Sequence, residues 1–190
     1  MTIFLILAPY GAFALLMLVA SPAISLFAAA AICLMVIAYD AIRGRSIKIL
    51  GTGSVAVFAA VGAYVALIDP ALSASTVKLA VDSGILLVSL GSIAVRHPFT
   101  LQYGREMVDA ETAAQPTFLK VNYILAWAWT AATVLMMIGN AATIYVPSLP
   151  LWFGLLVAFA ARNSAVYFTK WYPEYRKAKY GPPDAMPGTH

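Results

Sequence analysis

An all-α membrane protein, a polytopic helical bundle of about six transmembrane helices plus a short cytoplasmic interfacial helix, is the fold class that three observations predict. First, 62% of the 190 residues are hydrophobic and only 11% are charged, against roughly 45–50% and 25% in soluble domains. A soluble domain of this size cannot hide so much apolar surface, because its exterior needs charge. Second, apolar runs of membrane length recur along the chain, separated by prolines or charges. Third, the basic residues concentrate in alternate connections.

The first apolar run, Ile3 to Tyr39, contains no charge. As one helix it would extend on the order of 55 Å at 1.5 Å per residue, whereas a hydrocarbon core of about 30 Å needs roughly 20 residues. Ser21-Pro22 falls at its middle, and proline disfavours helix in the residue before it. Two spans follow, 3–20 and 23–39. The third runs over 49–68 and ends at Asp69-Pro70; the fourth covers 72–95 and stops before Arg96-His97-Pro98. A polar segment, 96–117, precedes the fifth span, 118–146. Pro147 and Pro150 bracket a turn before the sixth, 151–171, which ends at Tyr172-Pro173. Residues 1–172 thus form one transmembrane domain. Residues 173–190, rich in Lys, Pro and Gly without apolar period, read as a flexible cytoplasmic tail.

Basic residues orient such a bundle. With six spans, the 40–48 loop, the 96–117 segment and the C-terminal tail share one side. That side carries Arg43, Arg45, Lys48, Arg96, Arg105, Lys120, Lys170, Arg176, Lys177 and Lys179; the opposite loops carry Lys78 alone. Both termini are therefore expected in the cytoplasm. Arg43 is the first basic residue, so the charged n-region of a cleaved leader is missing. The net charge of +4 does not suggest nucleic acid, because the basic residues flank apolar runs instead of forming a face. Cys33, the single cysteine, reads as a small lipid- or helix-facing hydrophobe. Gly62 with Ala66, and Ala80 with Gly84, have the small-xxx-small spacing that lets helices approach closely.

Charged groups at bilayer depth are costly, on the order of 3 kcal/mol or more each, so they are functional candidates. Asp82 and Arg162 lie at matching depth near mid-membrane and are expected to pair across the interior. Two other readings stay open: Asp82 pairing with Lys78 four residues earlier on its own helix, and Arg162 snorkelling to the cytoplasmic face. Asn140 and Asn163, with Ser89 and Ser92, are candidates for hydrogen bonds between helices.

In the 96–117 segment, Phe99, Tyr103 and Met107 recur every four residues, the spacing of one helical face. This predicts a short amphipathic helix lying in the interface, with Arg96 and Arg105 contacting anionic lipid headgroups or the segment docking another membrane protein. His97 is expected to be structural: the other histidine is His190, and no Cys/His/Asp cluster has metal-ligand spacing. Neither a nucleophile elbow, a phosphate loop, a dinucleotide fingerprint nor an HExxH helix is present. No cofactor, metal site or catalytic residue is expected, and the chain reads as a non-enzyme.

The second half resembles the bacterial intracellular septation protein A family of inner-membrane proteins. The resemblance rests on Gly84-Ile85-Leu86-Leu87-Val88-Ser89 entering Arg96-His97-Pro98, on Gly104-Arg105-Glu106, on Ala128-Trp129, on Asn140 with Tyr145, and on Tyr167 and Lys170 before Pro173. It implies a noncatalytic role in cell-envelope integrity, septation or division, acting through lipids and through division or elongation membrane proteins. The alternative function is a small membrane transporter or lipid-handling protein using an intramembrane Asp82/Arg162 site. The two differ in a simple way: transport needs a wet cavity reaching those residues, whereas a scaffold can keep them dry and paired.

Overall fold

The computed structural model describes residues 2–146 and 148–180. Pro147, one of the two prolines expected to bracket the last turn, and the expected tail beyond residue 180 lie outside them. Among the described residues every regular element is a helix: α1 Thr2–Leu16, α2 Pro22–Ile42, α3 Ile49–Leu67, α4 Ala74–Ala94, α5 Phe99–Arg105, α6 Ala110–Ala114, α7 Pro116–Tyr145 and α8 Leu151–Tyr180. Local chemistry sets the boundaries. Ser21 caps α2 by accepting from the Ile24 amide, and Pro22 takes the first helical position, where its missing N–H costs nothing. Ser73 caps α4 through the Thr76 amide.

The ends of α2 and α4 share one device. After α2, the Gly44 and Arg45 amides donate back to Ala41 and Asp40; after α4, the Arg96 and His97 amides donate back to Ile93 and Ser92. Both are Schellman closures, which require a left-handed residue just past the helix. Gly44 meets that need at φ 68°, and Arg96 meets it at φ 57° without being glycine.

The longer helices pack side by side in chain order, α1 on α2, α2 on α3, α3 on α4, α4 on α7 and α7 on α8. Their contacts are antiparallel: Gly51 meets Ile37 while Gly62 meets Leu26 and Phe27. The closest seating joins α3 to α4. A Cβ on Gly53 would lie 2.6 Å from Val88, and one on Gly84 would lie 2.6 Å from Val57. Each helix thus presents a Gly-xxx-Val pair whose glycine receives the other's stiff, branched valine. Gly84 belongs to a small-residue pair expected to pack closely; Gly53 does not, and its role emerges only from the contact.

Phe13, Leu26, Cys33, Phe58, Val65, Val77 and Val81 form the main core, shared by α1, α2, α3 and α4. A smaller cluster of Ala132, Ala161 and Ala165 joins α7 to α8. Many large apolar side chains point outward, Leu87 at 70% exposure and Phe159 at 69% among them. A water-facing surface does not tolerate such a continuous apolar exterior; a lipid-facing one requires it.

Four helices, α2, α3, α4 and α7, are long and apolar enough to cross a membrane. The first expected span is shorter than its 3–20 reading: α1 ends at Leu16 and the chain turns through residues 17–20. Its 15 residues extend only about 22 Å. The sixth is long, but Arg162, Asn163 and a basic last turn lower its apolar character. It also corrects the expected start of the tail, because α8 continues through Pro173 to Tyr180. Stacking of Phe168 on Tyr172 and of Trp171 on Tyr175, with ring centroids 5.1 and 5.0 Å apart, ties successive turns together across the proline.

The 96–117 segment also departs from expectation. It folds as two short helices, and its apolar stripe does not face lipid as a unit. Phe99 is 5% exposed and Leu101 2%, whereas Met107, beyond the end of α5, is 72% exposed. The reason is that α7 covers α5. Thr100 donates to the Asn122 carbonyl at 2.6 Å, and Gly104 sits against Phe118 and Asn122 with no room for a Cβ.

Two substitutions test these contacts. Gly84→Val overpacks the α3/α4 seat and should cost about 1–3 kcal/mol, read as a lower unfolding midpoint in detergent; Gly91→Ala, which meets open space, should leave it unchanged. Arg96→Gly relieves the left-handed strain and should raise stability by about 1 kcal/mol, and a fall in midpoint would exclude that role for the backbone.

Candidate functional site

Polar residues gather at one end of the bundle, where α2 ends, α3 begins and α5 lies across them. Lys48, 4% exposed, is their centre. Its ammonium donates to Glu106 Oε1 at 2.5 Å and to the Ser46 carbonyl at 2.8 Å, and lies 3.5 Å from Asp40 Oδ2. It also stands 5.7 Å from the centroid of the Tyr103 ring. Arg45 reaches Asp40 from the outside at 3.4 Å. Gln102 completes the cluster by accepting from the Ile49 amide at 2.7 Å, so a side chain of α5 caps the start of α3. Two cations and two carboxylates balance here, which suits a charge lock better than a site for a free anion. Burial, together with the nearby carboxylates of Asp40 and Glu106, pushes the Tyr103 phenol above its ordinary value.

Beneath the cluster a narrow cleft enters the bundle, lined by Asp40, Lys48, Tyr103, Cys33, Tyr10 and Ser54 among others. About 30 Å³ of it is open to water, enough for two or so water molecules at roughly 10–15 Å³ each. At its inner wall Tyr10 donates to Ser54, whose own hydroxyl donates to the Leu50 carbonyl.

A second cleft opens at the opposite end, between the α1–α2 turn and the facing ends of α4, α7 and α8. It holds about 130 Å³ and is lined by Ser75, Lys78, Asn140, Thr143 and Gly154 among others. Asn140 is its inner link: the amide nitrogen donates to Asp82 Oδ2 at 2.7 Å.

The expected Asp82–Arg162 ion pair does not form. Among the described residues the ion pairs are Arg45–Asp40, Lys48–Asp40, Lys48–Glu106 and Lys177–Glu174. Asp82 is held by the Asn140 amide, and Arg162 lies with its guanidinium 6.0 Å from the Tyr10 ring centroid. Lys78 lies one helical turn before Asp82 on α4, and among the described residues neither it nor Arg162 closes an ion pair with the acid. Asn163 is exposed and donates to the Phe159 carbonyl of its own helix, which corrects its expected bond between helices. Ser89 and Thr130 do join α4 to α7, at 2.6 Å.

No protein-family model, curated protein or solved structure matches the chain.

The remaining candidates fall at the surface of the charged end. Arg105 is exposed, and Arg96 is exposed and in the left-handed closure of α4. His97 serves that same closure through its backbone, and among the described residues no group of three or more His, Cys, Asp or Glu is placed to hold a metal ion. Sequence reasoning missed Asp40, Lys48, Gln102 and Glu106 as a cluster, and Tyr10 and Ser54 as its extension. Asp40 and Lys48 were legible as charges flanking a span, the usual solvated position. Tyr10 was legible only as an isolated hydroxyl in an apolar run.

Removing one member of a buried ion cluster strands the others, typically at about 3–5 kcal/mol. Lys48→Met should fall near the lower end of that range, because Glu106 is partly open to solvent. Adding Glu106→Gln should restore part of the loss, and a denaturation series in detergent that shows strictly additive losses would exclude the coupling.

Proposed function

We propose that the chain is a six-span protein of a bacterial inner membrane, with both termini cytoplasmic. In this reading it supports cell-envelope integrity, septation or division without catalysis, through contacts with lipids and other membrane proteins. Four helices of membrane length, an apolar exterior and the gathering of basic residues at one end of the bundle support the membrane placement and the orientation. α1 and α8 supply the remaining two spans, α1 by inserting as a short helix and α8 by holding Arg162 inside.

The observation that carries the noncatalytic reading is how the interior polar groups are used. The Lys48 cluster, the Asn140–Asp82 bond and the Ser89–Thr130 bond tie helices to one another. The two clefts, about 30 and 130 Å³, are smaller than the roughly 300–1,000 Å³ of pockets that bind metabolite-sized ligands. Exposed Arg96 and Arg105 suit anionic headgroups at the charged end, each worth about 1 kcal/mol near such a surface.

Deleting the gene in its own host should produce filamentous or lysis-prone cells, with rescue by the wild-type chain and no rescue by a Lys48→Met chain at matched membrane level. Normal division and envelope integrity in the deletion strain would exclude the reading. A phosphatase fused after residue 190, active only outside the cytoplasm, should stay silent; strong activity would reverse the orientation.

A further inference from the structure

The cleft beside the α1–α2 turn differs from the one at the charged end in what it offers a ligand. At about 130 Å³ it has room for about ten water molecules at roughly 10–15 Å³ each. Lys78 is the single ionisable residue among those that line it. Among the described residues the Lys78 ammonium makes no hydrogen bond or ion pair. Asp82 lies one turn deeper on the same helix, outside the lining, and its Oδ2 accepts from Asn140. The Ser75 hydroxyl accepts from Thr143 at 3.4 Å, and its own proton has no acceptor among the described residues. The cleft therefore offers a cation and a hydroxyl donor with no carboxylate in its wall, the reverse of the balanced Lys48 cluster.

We propose that this cleft binds the phosphate group of a phospholipid, with Lys78 as the cation that holds it and Ser75 as a hydrogen-bond donor to it. This goes beyond the envelope role and requires only that the bundle sits in a bilayer.

Charge selects the ligand class. A phosphodiester carries one negative charge, which Lys78 balances, whereas a cationic ligand would meet the Lys78 charge unopposed. Depth points to a lipid as the source of the phosphate. α4 begins at Ala74 and has 21 residues, about 31 Å at 1.5 Å per residue, which matches the hydrocarbon core of about 30 Å alone. Lys78 stands four residues inside that start, about 6 Å below the core boundary, and a lysine stem carries its ammonium back over such a distance. The layer it reaches, roughly 5–7 Å thick on each side of the core, is where lipid phosphates lie.

The walls supply a second reason. Leu18 and Leu155 line the cleft and are 63% and 38% exposed, so apolar surface runs from the site to the lipid-facing exterior. The cleft is too small for a whole metabolite, whose pockets hold roughly 300–1,000 Å³. A lipid has to place only its phosphate there, because its tails stay in the bilayer.

The test uses the full chain in a neutral detergent, titrated with dioctanoyl phosphatidylglycerol and read by native mass spectrometry as lipid-bound chain. Headgroups held by Arg96 and Arg105 at the opposite end are common to every variant, so the Lys78-dependent binding is the readout. Lys78→Gln should weaken that binding about fivefold, the equivalent of about 1 kcal/mol for one basic residue near an anionic surface, while Lys78→Arg should retain it. Dioctanoylglycerol, with the same chains and no phosphate, should not distinguish wild type from Lys78→Gln, and inorganic phosphate at equal concentration should not displace the lipid. Equal phosphatidylglycerol binding by wild type and Lys78→Gln would overturn the proposal. So would Lys78-dependent binding of dioctanoylglycerol, or displacement by inorganic phosphate, which would make the site one for the free anion. Should Lys78→Gln not fold, judged by size exclusion, Ser75→Leu decides, because it narrows the cleft and removes the donor: weaker lipid binding than wild type supports the site, and unchanged binding overturns it.

Discussion

The rest of the bundle depends on the close seating of α3 on α4. In lipid there is little hydrophobic drive between helices, so association rests on van der Waals contact and on interhelical hydrogen bonds. Gly53 under Val88 and Gly84 under Val57 bring two backbones together as tightly as side chains allow. The same contact fixes rotation. Adjacent helical residues differ by about 100° around the axis, so with Gly84 turned to α3, Asp82 faces well away from it and meets Asn140 of α7. With Gly53 turned to α4, Ser54 faces α1 and receives Tyr10. The two interior hydrogen bonds are consequences of one packing choice.

At the charged end the controlling feature is different. Lys48 is drawn out of water by α5 lying across the α2–α3 connection, and α5 can lie there because Gly104 lets it settle onto Phe118 and Asn122. Burying an ammonium demands partners, and Asp40, Glu106 and the Ser46 carbonyl supply them. Gln102 satisfies a start of α3 that its own cap residue leaves open. What reads in sequence as a polar linker is therefore the clasp of one bundle end.

The two ends make different use of charge. The Lys48 cluster is balanced and closed, while Asp82 is held by the neutral Asn140 amide and, among the described residues, pairs with neither Arg162 nor Lys78. A balanced, closed cluster at one end and a singly hydrogen-bonded acid in the interior thus coexist within one small bundle.

Much of the architecture was legible without coordinates. Proline and serine at residues 21–22, the apolar run lengths and the alternation of basic loops located helices α2, α3, α4 and α7 to within a few residues, because lipid imposes length and apolarity on each segment separately. Asp82 and Asn140 also stood out, since a polar residue in an apolar run is visible locally. The partners were not legible. Arg162 meets Tyr10 instead of Asp82, Asn163 turns to its own helix, Phe99 enters the protein, and Asp40 joins Glu106 around Lys48. Each of these depends on helix rotation and on which helices are neighbours, and those are decided by small-residue contacts such as Gly53 with Val88. Sequence by itself determined that the chain is a helical membrane bundle and where its costly polar groups lie; only the tertiary structure decided which of them meet, because close packing in lipid selects a rotation that hydropathy does not encode.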